Sequence, residues 1–408
     1  MDYQNALKKL DETKQAHLLA YYNELTPASQ VKLLKQIEEI DFSVLDSLKN
    51  HAVIAGKGVI EPLNAMELDE INARKDDFTA IGIQAIKQGK VGAVLLAGGM
   101  GTRLGSENPK GMYDIGLNKT VYIFQRLFEN LLDVVKQVGV FIPFYIMTSD
   151  KNHDTTIAFL KEHHYFGYDE TYISFFKQDM APATDYQGNV LLECKDTVST
   201  SPNGNGGFYI SMNKWGIADK IRESGIEWLN IFAVDNVLQR ICDPCFIGAT
   251  LSKGCVCGAK VVRKNARDEK IGYICLEDKR PSIIEYYDMT DELMDAKDEK
   301  GEPAYNFGVI LNYLFNVKSL DEIMAKNLPM HVVEKKISHL DADGNIVKPD
   351  APNGYKFEQL VLDMIHELES CLPYEVVREN EFAPIKNLTG VDSVESARKL
   401  CLDIGIDL

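Results

Sequence analysis

From Val91 onward the chain alternates short apolar runs with longer stretches in which apolar residues recur every three or four positions. The runs VGAVLLAGG, VFIPFYIMTS, YISFFKQ, WLNIFAVDN and CVCGAKVV read as strands, and KTVYIFQRLFENLLDVVKQ and HDTTIAFLKEHHYF between them read as helices. Strands alternating with helices predict an α/β fold, a mostly parallel or mixed sheet flanked by helices. In such sheets ligands bind where loops leave the carboxyl ends of the strands. Polar motifs stand at those points here: GGMGTRLG follows AVLLA, Gln178 follows ISFFK, and Asp235-Asn236 follow NIFAV.

The first ninety residues carry a different texture. In LTPASQVKLLKQIEEIDF, Thr26 is placed to cap a helix that starts at Pro27, and Val31, Leu33, Leu34, Ile37 and Ile40 follow at helical spacing. Residues 1–90 are expected to form a helical region, residues 91–385 the α/β domain, and residues 386–408 a short tail. Within the last hundred residues, DADGNIVKPDAPNG is turn-rich and FEQLVLDMIHELESCL is helix-like.

Composition narrows the partners. The length of 408 residues allows more than one core, and a 45% hydrophobic, 26% charged make-up is ordinary for a soluble globular protein. A net charge of −17 argues against nucleic acid or an anionic membrane as a partner, since either needs a basic surface. MDYQNALKKLDETKQ has no apolar core of signal-peptide length, and no apolar run approaches a membrane span, so a cytoplasmic location is expected. The pairs Cys242–Cys245 and Cys255–Cys257 have irregular zinc spacing and no histidine nearby, which favours buried free thiols.

The sharpest chemistry lies in VLLAGGMGTRLGSENPKGMYDIGL, where a strand gives way to Gly98, Gly99, Gly101 and Gly105 beside Arg103 and Lys110. Bare backbone next to two cations predicts an anionic guest, because exposed N–H groups can approach phosphate oxygens. No lysine followed by Ser or Thr ends the glycine run, so it is not a GxxxxGK[ST] loop. Leu104 stands where GxGxxG needs its third glycine, which comes one residue late at Gly105.

LAGGMGTRLGSENPKGMYDIGL resembles the signature of the UDP-N-acetylglucosamine pyrophosphorylase branch of the UDP-sugar pyrophosphorylases. The resemblance continues in order through FFKQDMAPAT, SPNGNGGFY, NIFAVDNVL, KIGYICLEDKRPSIIEYYD, AYNFGVILNYLF and FAPIKN, over about positions 90 to 390. It implies a Rossmann-like nucleotidyltransferase domain that makes UDP-N-acetylglucosamine and pyrophosphate from UTP and N-acetylglucosamine 1-phosphate. It also implies roles for particular residues. Leu96, Ala97, Gly98, Gly99, Gln178 and Gly204 would bind the nucleotide, with Gln178 on the uracil. Asn205, Gly272, Glu285 and Asn306 would bind the sugar, and Asp235 would hold Mg2+. Arg103, Lys110 and Lys386 would carry the catalytic charge.

The residue types suit that reaction. The attacking phosphate oxygen is already ionised at neutral pH, so no general base is required; the difficulty is repulsion between two anions, which oriented cations and a metal relieve. Two departures bear on the sugar: the second asparagine of the family's sugar-loop pattern is Val309, and Phe307 replaces a small residue. Transfer to glucose 1-phosphate or galactose 1-phosphate is the nearest alternative. A non-catalytic UDP-sugar sensor is another, although it has no use for Arg103, Lys110, Asp235 and Lys386 together.

Overall fold

The apolar runs after Val91 become neighbouring strands. In the computed structural model, which describes residues 1–50, 58–326, 328–341 and 343–408, strands Ile173–Lys177, Phe144–Thr148, Val91–Leu96 and Trp228–Ala233 lie side by side in that order, all parallel. Residues 51–57, within the stretch expected to be helical, and residue 342 of the turn-rich stretch lie outside the described residues, as does 327. Every position of Val91–Leu96 and Phe144–Thr148 is buried, which explains why these strands read as unbroken apolar runs. Helix Ile123–Val138 covers them with an apolar stripe that includes Phe124, Leu127, Phe128 and Leu131; Phe128 meets Phe144 edge-on at 5.2 Å between ring centres.

Beyond Trp228–Ala233 the sheet turns antiparallel. Phe307–Asn316 runs against that strand and also pairs with Cys257–Arg263, which in turn takes Leu372–Glu375 in parallel. The hairpin Tyr273–Glu277 with Arg280–Ile284, and the short Ile60–Pro62, complete ten strands among the described residues. The sheet is therefore mixed. The hairpin turns at Asp278-Lys279, both with positive φ (49° and 67°), without the glycine that usually marks such a turn.

Two compact units divide the chain: Met1–Gly56, Asp179–Gly207 and Leu328–Val361 in one, and Lys57–Gln178, Phe208–Asn327 and Leu362–Leu408 in the other. The first has its own apolar cluster, in which Ala6, Leu10, Leu33 and Ile37 meet Val190, Leu192 and Val198. Its helix Pro27–Glu39 starts as its sequence suggests, with the Thr26 hydroxyl accepting the Ser29 N–H at 3.3 Å; Leu33, Leu34, Ile37 and the capping Ile40 are buried, but Val31 is exposed. FEQLVLDMIHELESCL is not one helix: it holds the end of strand Gly354–Glu358, helix Val361–His366 and the start of strand Leu372–Glu375. No helix among the described residues is long and apolar enough to cross a membrane.

Candidate active site

The second unit gathers most of the candidate residues at the carboxyl ends of its parallel strands. Strand Val91–Leu96 ends at Ala97, whose N–H donates to the Met147 carbonyl at 2.8 Å. Asn152, wholly buried, donates from its side chain to the carbonyls of Ala97 (2.9 Å) and Gly99 (3.4 Å) while accepting the Ser149 N–H (2.8 Å). The loop then doubles back: the Gly101 N–H donates to the Asn108 carbonyl (2.8 Å) and the Lys110 N–H to the Gly99 carbonyl (3.1 Å). Lys110 thus returns to the point where the glycines begin.

Gln178 explains one of those glycines. Its backbone N–H donates to the Thr148 carbonyl at 2.8 Å, and its buried side chain crosses to Gly98, where a Cβ would lie 2.4 Å from Oε1. Any side chain at 98 displaces the amide. Gly99 next to it has open space where a Cβ would stand, which leaves its backbone accessible.

Arg103 and Lys110 of the glycine loop, Asp235 and Lys386 come from three separate parts of the sequence and interact electrostatically. Burial pushes the Lys110 ammonium below the ordinary lysine range; Asp235 opposes that shift, while Arg103 and Lys386 add to it by like-charge repulsion. Arg103 is exposed and Lys110 and Asp235 are half-buried. Lys386 arrives because the late segment runs against the Asp235 turn. The Ile385 N–H donates to the Asp235 carbonyl (2.9 Å), and Asn236 accepts the Ala383 N–H (2.9 Å) and donates to the Glu381 carbonyl (2.7 Å). The Lys386 ammonium rests on Asp392 at 3.0 Å.

Among the described residues no group of three or more His, Cys, Asp or Glu side chains could hold a metal by itself. A lone carboxylate at Asp235 suits a small hard cation that keeps several waters and takes its other oxygens from nucleotide phosphates, as Mg2+ does.

Gly272, Glu285 and Asn306 lie on the antiparallel part of the sheet. The Gly272 carbonyl accepts the Val309 N–H at 2.9 Å, and a Cβ on Gly272 would lie 3.6 Å from both Glu285 Oε1 and Val309 Cγ2. The Asn306 carbonyl accepts the Lys264 N–H (2.9 Å), and the Phe307 ring lies under the Arg263 guanidinium at 5.0 Å. Gly204 and Asn205 belong to the other unit. There the Asn205 side-chain oxygen accepts the Val361 N–H (2.9 Å), and Gly204, at φ 89°, leaves no room for a Cβ beside the Gln359 carbonyl, 2.2 Å away.

One positioning side chain, Asn152, escaped the sequence reading although it stands just before a helix; Asn236 figures in that reading beside Asp235, but its residue type does not announce which carbonyl it will hold.

A family model described as UTP–glucose-1-phosphate uridylyltransferase matches residues 49–398. A UDP-N-acetylglucosamine pyrophosphorylase of Saccharomyces cerevisiae is 37% identical over 419 residues, covering 98% of this chain and 86% of its own length. The UDP-N-acetylhexosamine pyrophosphorylase-like protein 1 of Mus musculus is 36% identical over 405 residues, covering 93% of this chain and 79% of its own. The crystal structure of the uridine diphosphate N-acetylglucosamine pyrophosphorylase of Trypanosoma brucei, in complex with an inhibitor, shares the fold with a TM-score of 0.85 at 24% identity, covering 98% of this chain and 84% of that one.

Proposed function

The chain belongs to the UTP–glucose-1-phosphate uridylyltransferase family, and on that premise we propose that it makes UDP-N-acetylglucosamine and pyrophosphate from UTP and N-acetylglucosamine 1-phosphate. The observation that carries the reaction is the convergence of Arg103, Lys110 and Lys386 with Asp235 beside a glycine-lined turn. A sugar-phosphate oxygen attacks the α-phosphorus of UTP, the bond to the β-phosphate oxygen breaks, and pyrophosphate leaves with the electron pair. Lys110 offsets charge on the α-phosphoryl group, Arg103 offers a planar fork of donors to the departing pyrophosphate, and Lys386 adds a cation from the late segment. Asp235 would hold Mg2+, which when bound would neutralise phosphate charge and help align the reacting groups. The name of the yeast relative supports the acetylated amino sugar. Eight free cysteines suit the reducing cytoplasm.

Leu96 to Gly99 form the nucleotide wall, and the Gln178 amide, aimed at Gly98, reads the uracil. Gly98→Ala therefore pushes that amide aside without disturbing the sheet. We expect KM for UTP to rise about tenfold, the value of one good hydrogen-bonded pair, with kcat nearly kept. Steady-state kinetics with UTP varied checks this; an unchanged KM removes Gln178 from the uracil site. Gly272, Glu285 and Asn306 hold the hexose.

One observation favours a second sugar. Val309 puts an isopropyl group beside Gly272, where the family pattern has asparagine, so glucose 1-phosphate or galactose 1-phosphate is the alternative acceptor. Pyrophosphate release measured with UTP, Mg2+ and the three sugar phosphates in parallel separates them. We expect N-acetylglucosamine 1-phosphate to lead by about tenfold or more in kcat/KM; a lead for glucose 1-phosphate reverses the assignment.

A further inference from the structure

Lys260 breaks the pattern of its strand. It lies between Ala259 and Val261, both fully buried, and is itself wholly buried. The pairing of Cys257–Arg263 with Phe307–Asn316 slips between Ala259 and Val261, and Leu311 across from the slip takes a left-handed φ of 53°. A charge at such a place is costly unless its donors are satisfied. All three ammonium donors have acceptors: Glu381 Oε2 at 2.6 Å, the Arg240 carbonyl at 3.0 Å and Asp243 Oδ2 at 3.4 Å. Glu381 Oε2 also accepts the Arg240 N–H at 3.2 Å, and the Glu381 carbonyl accepts from Asn236. One ammonium thus ties a central strand, the loop after Asp235 and the start of the segment that carries Lys386. Replacing a buried ion pair by apolar groups is often neutral for stability, so its presence points to geometry that must be held.

We propose that Lys260, Glu381 and Asn236 form a clamp that fixes the Lys386 ammonium in register with the Asp235 carboxylate, making Lys260 a positioning residue for phosphoryl transfer. The clamp rests on the assignment of Lys386 and Asp235 to the phosphates and the metal. It acts at a distance: the backbone from Glu381 to Ile385 is pinned at both ends, by Glu381 to Lys260 and by Ile385 to Asp235, and Lys386 follows directly. Small misplacements of a catalytic group cost far more rate than stability.

The test is a cycle of four proteins: wild type, Lys260→Met/Glu381→Gln, Lys386→Ala, and all three substitutions together. Met keeps the stem of Lys260, and Gln keeps an acceptor for the Arg240 N–H. We expect the charge-stripped pair to lower kcat about tenfold, and the same pair to cost less than about twofold when Lys386 is already alanine, because it acts through that side chain. Equal losses in both backgrounds overturn the clamp while leaving the role of Lys386 intact. Near-normal kcat for Lys386→Ala alone overturns both, and the single variant shows which has failed. Circular dichroism and melting confirm folding; should the charge-stripped protein not fold, Asn236→Ala in the same cycle carries the same expectation.

Discussion

Replacing Lys110 by alanine is expected to lower kcat about 10²–10³-fold, the usual effect of removing one preorganised electrostatic donor, in a protein that stays folded. Folding is safe for a specific reason. The loop is closed by the Lys110 backbone N–H on the Gly99 carbonyl, a bond alanine keeps. The side chain itself is a strained passenger: burial and the neighbouring Arg103 and Lys386 disfavour its charge. A lysine whose pKa is lower folded than unfolded weakens the fold most at neutral pH. That penalty fades as pH rises through the folded pKa, because there the unfolded chain binds more protons. Lys110→Ala removes the penalty, so its melting temperature at pH 7 should equal or slightly exceed that of the wild type. Loss of turnover with no loss of stability marks a charge held for chemistry.

The same shift sets a pH profile. For the free enzyme, kcat/KM should fall on the alkaline side with an apparent pKa below the ordinary lysine range, as Lys110 loses its proton. Bound phosphates favour the ammonium, so the alkaline limb of kcat should lie higher than that of kcat/KM. A wild-type profile and a Lys110→Ala profile with the same alkaline limb would assign that limb to another group.

Much of this was legible in the chain. The parallel strands could be read because burial on both faces leaves unbroken apolar runs, and their carboxyl ends bring Gly98, Gln178 and Asp235 to the same end of the sheet. The antiparallel half was harder. Its hairpin turns on Asp278-Lys279 with no glycine, and Phe307–Asn316 contains a left-handed Leu311 and a buried Asn312 that blur its period. Local sequence also could not reveal how Lys386 reaches Asp235, some 150 positions earlier (about one whole domain of chain). That approach depends on hydrogen bonds from Asn236 to the backbone of 381–383. Nor does a lysine in a strand advertise burial; what holds Lys260 there is visible only in its three acceptors. The membership of each unit likewise depends on contacts between segments far apart in the chain.

Asp235→Asn is expected to cost a further large factor, again about 10²–10³ in kcat, and to do so through two separable effects. Asparagine keeps the carbonyl that receives the Ile385 N–H, so the late segment stays in place and the loss falls on the carboxylate alone. The first effect is on the metal. A neutral amide is a poor partner for a hard dication, so Mn2+ bound to the enzyme–UTP complex, followed by electron paramagnetic resonance, should weaken sharply. The second is on Lys110. Asp235 is the group that holds its charge in place against burial and two cations, so removing it should move the alkaline limb of kcat/KM to lower pH than in the wild type. Wild-type Mn2+ binding in the variant would take the metal from Asp235, and an unmoved limb would separate Asp235 from Lys110. With both effects present, the one carboxylate serves the metal and keeps the lysine protonated.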